Sequence, residues 1–532
     1  MMISLRLSLI CIFIIVFNIN LSYSRSDIDK LIEFQAQKFK YILETAYKNH
    51  PDSLDVIKIS DEAFAALLQS IDKESYYYNK RDMKLVQEGN KGITYGIGIE
   101  AVSIYDTLYV IQVQANSPAN QSGIEIGDII TQIEGRSTLA MMKKDFDELI
   151  QGDSATYVNI EIQSVYSGKK SSKKVLRKDI PIPGITASYI FPGTDIGIIV
   201  ISRFSENVAE DFTRIANVLI KKGMNKIVVD MRGNPGGYMT KVDEILDLFI
   251  PGKKLLTKTV SPSADIRTEI YSNDGDLLEK IPVVALIDEN SASGSELLAG
   301  VLQDYDRGIV VGRRSYGKGT IQKIWSMNDT TGFKLTVGKY QTPSGRDIQK
   351  YPDELPFMVE KGLDTNFDAD AVNKKIREMG TSKIKVFQSE SGRHIIGGGG
   401  IFPDKIVDND TLTQLTQLLI RRGMFFKWAV SFKNRYGKEL LDKYGNDYSK
   451  FNMEFQITDE MLREFAQYAL ENKVWNNEMF TQDKRYFITY QKAVIANVLW
   501  GYNAFSEVLS IVDNELVAAV RETVNAAEMI NK

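Results

Sequence analysis

Cysteine is almost missing from this chain: Cys11 is the only one in 532 residues, and it stands inside the first apolar run. Everything after it is therefore without intrachain disulfides, thiol catalysis or cysteine-ligated metal. Histidine is nearly as scarce, with only His50, in "YKNHPDS", and His394, in "SGRHIIGGGG", available as imidazole bases. Excess positive charge is lacking too. A formal net charge of −4 argues against a nucleic-acid binder, because neutralising phosphates takes a basic surface. The apolar run from Leu9 to Phe17 is broken by Asn18 and Asn20, well short of the roughly 20 residues a membrane span needs.

What that amino-terminal stretch does have is Arg6 before the run and the triplet Ser22, Tyr23, Ser24 after it, the pattern of a secretory signal peptide. Cleavage is expected after Ser24, leaving an exported chain, periplasmic or extracellular. A lipoprotein reading of Cys11 fits poorly, since Ile10 is bulky where a small residue is needed and the apolar run continues past it.

With 43% hydrophobic and 25% charged residues, the remainder has an ordinary soluble composition and length enough for several domains. Residues 25–90 read as a helical region, Ile28, Ile32, Phe39, Ile42 and Ala46 sharing one face and Phe64, Leu67, Leu68 and Ile71 another. Residues 91–180 turn to short β-rich runs, "YGIGIEAV", "LYVIQVQ", "DIITQIEG" and "YVNIEIQSV", interrupted by a helical stretch from Met141 to Ile150. From 181 to 409 strand and helix alternate, with "IGIIVISRF", "KIVVDMRG" and "IPVVALIDE" as buried strands and helical runs at Val208–Leu219 and Leu297–Tyr305. That alternation argues a mainly parallel α/β sheet with its chemistry on loops after strand ends. Residues 410–532 are helical and aromatic, and the aromatics read as the core of a separate helical domain. The helical ends could support assembly into a homo-oligomer or an adaptor, and fit an intramolecular core equally well.

"GRRSYGKGT", Gly312 to Thr320, comes close to a phosphate-binding loop, but the hydroxyl position is Gly319 and the run "TIQKIW" after it reads as a strand where a helix should open. A nucleotide hydrolase is disfavoured, and Lys318 needs another role. "IDENSASGSELLAG" places three serines at a strand-to-helix turn, where helix-end amides stabilise an oxyanion and a sharp turn exposes a side chain for attack. Ser293 followed by Glu296 is also a capping box, which calls for no catalysis. A serine nucleophile needs a base. Neither histidine is excluded by sequence; a desolvated lysine is the other choice, and Lys318, between Gly317 and Gly319, is a candidate. If the following run is extended, Lys318, Thr320 and Gln322 share a face and Gln322 can orient the amine.

Two resemblances bear on these residues. "YGIGIE" and "SPANQSGIEIGDIITQIEG" resemble the carboxylate-binding loop and the hallmark turn of a PDZ domain. Gly96 and Gly98, flanking Ile97, would let backbone amides converge on a tail carboxylate, and the adjoining strand edge would take the peptide by β-augmentation. "SASGSE", "GKGTIQ", "DMRGNPGG", "YQTPSGRDIQ" and "GGGGIFPD" together resemble the C-terminal processing peptidases, tail-specific serine proteases with an inserted PDZ domain, over roughly residues 92–404.

The resemblance implies a multi-domain α/β protease core, residues 181–409, carrying an inserted PDZ domain, residues 91–180. It implies that Ser293 attacks, that Lys318, 25 residues on, is the general base, and that Gln322 positions Lys318. Ser291 and Ser295 become supporting residues, and the oxyanion hole combines the Gly294 amide with one from Gly236 or Gly237. No metal or organic cofactor is required, and the partners are proteins or peptides with free C-terminal tails. A non-catalytic PDZ-containing scaffold or chaperone is the alternative. The chain departs from the family at Gly294, where alanine is usual, and at Gly233, often asparagine; neither change removes a reacting group.

Overall fold

The computed structural model describes residues 25–165, 167–273, 277–350 and 385–530; the expected signal segment, with Cys11, lies outside the described residues. The chain divides after Tyr77 into two compact units. The first holds the helices Arg25–Asn49 and Val56–Ile71. Asp55 caps the second by accepting the Lys58 amide at 3.0 Å, and Phe39 and Phe64, one from each helix, bring their rings to 5.8 Å. Among the described residues no helix is long and apolar enough to cross a membrane.

In the second unit, five antiparallel strands build the β-rich body, in spatial order Ile99–Ile104, Thr107–Val113, Ile129–Ile133, Tyr157–Gln163 and Lys170–Leu176. Alternate residues on these strands, among them Leu108, Val110, Val158 and Ile160, turn inward onto Phe146 and Ile150 of the helix Lys143–Ile150. The chain enters and leaves this body through one antiparallel pair, Ile93–Gly96 with Lys178–Pro181. Adjacent ends are what allow a domain to be inserted without disturbing its host.

The larger sheet has the spatial order Ile185–Ile190, Ile196–Ile201, Lys226–Asp230, Val283–Ile287, Gly308–Gly312, Lys405–Ile406. All neighbours run parallel except the first pair. Its central strands, Ile196–Ile201, Lys226–Asp230 and Val283–Ile287, are rich in Ile and Val because both faces are covered. Ile199, Ile201, Ile227, Val229, Ala285 and Ile287 lie in one cluster with Phe212, Val242 and Leu297, from the helices Val208–Lys221, Met239–Asp247 and Gly294–Asp304. Ile198, Val228, Val284, Leu286 and Val311 pack on the other face with Leu516, Ala519 and Ala526 of the helix Asn514–Ile530. Each such Ile, Leu or Val contributes about 1.5–3 kcal/mol by leaving water. The last helix of the expected C-terminal domain is thus the second cover of the α/β sheet; an apolar stripe announces a buried face without saying what lies against it. The other C-terminal helices pack on their own aromatics, Phe425, Phe465 and Phe487, with ring centroids 4.8 to 5.2 Å apart.

A second sheet carries the segment after Gly319. Thr320–Ser326 pairs antiparallel with Gly332–Gln341, which pairs in turn with Leu255–Val260. The helix that a phosphate-binding loop would open is therefore a strand here.

Candidate active site

The strand Val283–Ile287 gives way to a short turn and then to the helix Gly294–Asp304, which has Ser293 as its N-cap, as the capping box implies. Ser291 is buried and structural: its hydroxyl donates to Met231 O at 2.8 Å and accepts the Asp288 amide at 2.9 Å. Ser295, also buried, donates to Asn234 O at 3.1 Å. Ser293, between them, sits at φ 54, ψ −110. A non-glycine residue in that region costs about 1–3 kcal/mol and persists only where its surroundings fix it. Here the Ala292 amide is held by Asn234 O at 2.9 Å and the Ser293 amide by Glu296 Oε2 at 2.8 Å.

Glu296 does more than cap its helix. The same carboxylate, fully buried, accepts the Lys318 amide at 2.8 Å, the Gly317 amide at 2.7 Å and the Ser315 hydroxyl at 2.5 Å. Burial pushes its carboxyl up, against the lowering effect of those hydrogen bonds. Tyr340 repeats the link on the carbonyl side, its buried hydroxyl within 2.9 Å of Ser293 O and 2.6 Å of Lys318 O. The backbones of Ser293 and Lys318 are thus tied together twice. Neither link was apparent from the sequence, where Glu296 read as a local cap and Tyr340 only as part of the "YQTPSG" motif.

Ser293, Lys318, Thr320 and Gln322 line one cavity of about 420 Å³, with Phe204, Met239, Ile321 and Ile324 as apolar wall. Its described lining contains no histidine. His50 Nδ1 accepts the Asp52 amide at 3.1 Å, and His394 opens the strand His394–Gly397. Strict alternation after Lys318 does not hold: the register shifts between Ile321 and Gln322, and such a bulge re-aims side chains, so that Ile321 reaches the cavity with Gln322. Gln322 Nε2 donates to Thr320 Oγ1 at 2.8 Å.

Gly236 and Gly237 lie against the Ser293 turn. The Gly236 amide donates to Asn234 Oδ1 at 2.8 Å. Among the described residues the amides of Gly237 and Gly294 donate to no protein acceptor. Gly237 has to be glycine, since a Cβ there would stand 2.1 Å from Phe204 O.

A second cavity, of about 220 Å³, runs between the strand at Ile99 and the helix residues Phe146, Asp147 and Ile150, with Gly96, Ile97 and Gly98 at one end. The carbonyls of Ile97 and Gly98 accept the Ala119 and Gln114 amides, both at 2.9 Å, so this loop is anchored through its oxygens. A Cβ on Gly98, which sits at φ 81, would fall 2.3 Å from Ser117 Cβ. Among the described residues no group of three or more acidic, cysteine or histidine side chains could hold a metal ion.

A peptidase fold with a grooved PDZ insertion is what these elements define, and comparison with known proteins agrees. Residues 195–355 match the family model of peptidase family S41 and residues 109–164 that of a PDZ domain. Residues 415–501 match a family of unknown function (DUF8443). The chain is 32% identical over 328 residues to carboxy-terminal processing protease CtpB of Bacillus subtilis, covering 60% of this chain and 67% of that one. It is 31% identical over 325 residues to the carboxyl-terminal-processing protease of Picosynechococcus, covering 60% and 76%. The solved photosystem II D1 C-terminal processing protease aligns over 60% of this chain and 88% of its own at 24% identity and a TM-score of 0.34, too distant a likeness to bear on the site. The chain belongs to the carboxy-terminal processing proteases of peptidase family S41.

Proposed function

We propose that the chain is an exported serine endopeptidase that holds substrate C-terminal tails in its PDZ groove and cuts peptide bonds with Ser293 and Lys318. One observation carries this reading: Ser293, strained at a helix N-terminus, opens onto the same cavity as Lys318. In the proposed reaction Ser293 Oγ attacks the scissile carbonyl carbon while Lys318 Nζ takes its proton and passes it to the departing amine. Water then hydrolyses the acyl-enzyme, with Lys318 again as base. Lys318 must be uncharged at the moment of attack, and Gln322, fixed through its nitrogen, keeps Oε1 as an acceptor for positioning it. The tetrahedral oxyanion takes the amides of Gly294 and Gly237, each such donor contributing about 3–4 kcal/mol.

Ser293→Ala and Lys318→Ala are each expected to abolish cleavage of an unfolded substrate ending in a free tail, with the fold retained by circular dichroism. Full activity in either purified variant refutes the assignment. A native chain that binds tail peptides and cleaves nothing is the scaffold alternative. Export rests on Arg6, the Leu9–Phe17 run and the Ser22–Ser24 triplet; amino-terminal sequencing of the mature chain should begin at Arg25.

A further inference from the structure

The two loops that supply the Gly237 amide and Lys318 each carry an arginine upstream of the site, Arg232 in one and Arg313 in the other. Both arginines are four-fifths buried. Arg232 is paired within its own loop to Asp230, Nη2 to Oδ2 at 2.6 Å. Its remaining donors reach across the molecule to the start of the last helix: Nη1 donates to Asp513 Oδ1 at 3.0 Å and to Glu515 Oε2 at 3.1 Å, and Nη2 to Asp513 Oδ2 at 2.8 Å. The other oxygen of Glu515, Oε1, accepts from Arg313 Nη1. One buried carboxylate therefore joins the Asp230–Gly237 loop to the Gly312–Lys318 loop, and it comes from a residue beyond the stretch that matches the peptidase family.

Arg313 also holds Glu289 through Nε at 2.6 Å and stands 4.0 Å from Asp288 Oδ2, while Asp288 Oδ1 accepts the Gly233 amide at 2.9 Å. The turn that presents Ser293 is thus drawn into the same network. Burial alone would lower the Arg232 guanidinium, but Asp230 and Asp513 hold it well above its ordinary value, so its charge is secure. Placing several charges in a buried network is costly unless geometry and hydrogen bonding are satisfied throughout. The apolar face of Asn514–Ile530 would cover the sheet without any carboxylate at its N-terminus. Glu515 is not needed as a cap either, since Asp513 already accepts the Leu516 amide at 3.0 Å.

We infer that Asp513 and Glu515 are positioning residues for the Ser293/Lys318 reaction: Glu515 joins Arg232 to Arg313 and Asp513 fixes Arg232 for that bridge, and together they set the spacing between the loop of the second oxyanion amide and the loop of Lys318. The C-terminal helix is then part of the active-site assembly. The inference rests on the serine protease reading above and adds to it residues that touch no substrate.

The test uses the full-length chain with Asp513→Asn, Glu515→Gln and the double variant, assayed on one unfolded tailed substrate beside the native chain and Ser293→Ala. Asparagine still caps a helix, so Asp513→Asn removes charge and keeps the cap. A displacement of about 1 Å in a reacting constellation costs roughly 100-fold. The double variant is therefore expected to lose about tenfold or more in kcat per folded molecule, with KM within about threefold, when assayed well below its melting temperature, which should fall because both arginines lose buried partners. Glu515→Asp, which keeps the charge and shortens the reach, should fall between Glu515→Gln and native. A double variant with native kcat overturns the inference. Should it fail to fold, Glu515→Gln alone decides, and native kcat per folded molecule there is equally fatal. If the native chain shows no cleavage, the protease reading fails and the inference falls with it; if native cleaves and Ser293→Ala does not, the reading stands whatever the carboxylate variants do.

Discussion

Glu296 takes four hydrogen bonds on two oxygens, and every donor belongs to the Ser293 turn or to the Ser315–Lys318 loop. Glu296→Gln would turn an NH2 group toward amide or hydroxyl donors on one side, leaving at least one buried donor unsatisfied. Such a loss costs about 1–3 kcal/mol. Denaturant unfolding should show a lower midpoint at unchanged m, and cleavage should fall because the two backbones are no longer held together; an unchanged midpoint would mean the clamp is dispensable. At this scale the sequence revealed what lies within a few residues. Ser293 and Lys318 were visible as motif members, and Glu296 as a cap three residues after Ser293. Its partners Gly317 and Lys318, and the Tyr340 hydroxyl, were not, because they are neighbours only after the second sheet is laid across the turn. Gly236 is the converse case: the motif offers two glycine amides, and the hydrogen bond from one of them to the Asn234 side chain could not be read from it.

Among the elements, the helix Met239–Asp247 leads away from the Gly237 loop and buries an acid on its core side. Asp243 is only 8% exposed, accepts the Thr257 hydroxyl at 2.5 Å, and is pushed up by burial from 3.8 to about 6. Because the folded state holds this proton more tightly than the unfolded chain, stability is greatest below the unfolded value and declines as pH rises from about 4 to about 6. At about 1.36 kcal/mol per pH unit, the difference between 3.8 and about 6 amounts to about 3 kcal/mol, an upper figure for a partly hydrated site. Asp243→Asn keeps an acceptor for Thr257 and removes the titration. It should raise the melting temperature at pH 8 and leave it little changed at pH 4; equal shifts at both pH values would show that charge is not the cause. The strands Ile196–Ile201, Lys226–Asp230 and Val283–Ile287 were legible because they are unbroken apolar runs. Gly308–Gly312 and Lys405–Ile406 were not, since five residues closed by glycine at both ends and a two-residue strand carry no period.

For the molecule as a whole, the paired strands Ile93–Gly96 and Lys178–Pro181 are a narrow attachment for the PDZ domain, and a second one comes from the helix Met424–Tyr444. Phe426 meets Tyr109 edge-on at 6.4 Å, and Lys427 Nζ lies 5.0 Å and 5.1 Å from the rings of Tyr105 and Tyr109. Backbones approach closely on either side: a Cβ on Gly127 would fall 2.6 Å from Val430, and one on Gly423 would fall 2.4 Å from Ile104. None of this was legible in the sequence, where the glycines looked like ordinary turn residues and their partners lie in a distant segment. An aromatic pair and cation–π contacts of this kind contribute about 0.5–1.5 kcal/mol each, so removing them together should shift the docked population severalfold without unfolding either body. The scarcity of cysteine makes this measurable. In a Cys11→Ser background, spin labels at Leu139→Cys and Met453→Cys, both exposed, report the separation of the PDZ domain from the C-terminal helices. The native chain should give one narrow distance distribution, and Phe426→Ala with Lys427→Ala a broad one. Equal widths would show that the paired strands alone fix the PDZ domain, and that the helix merely lies beside it.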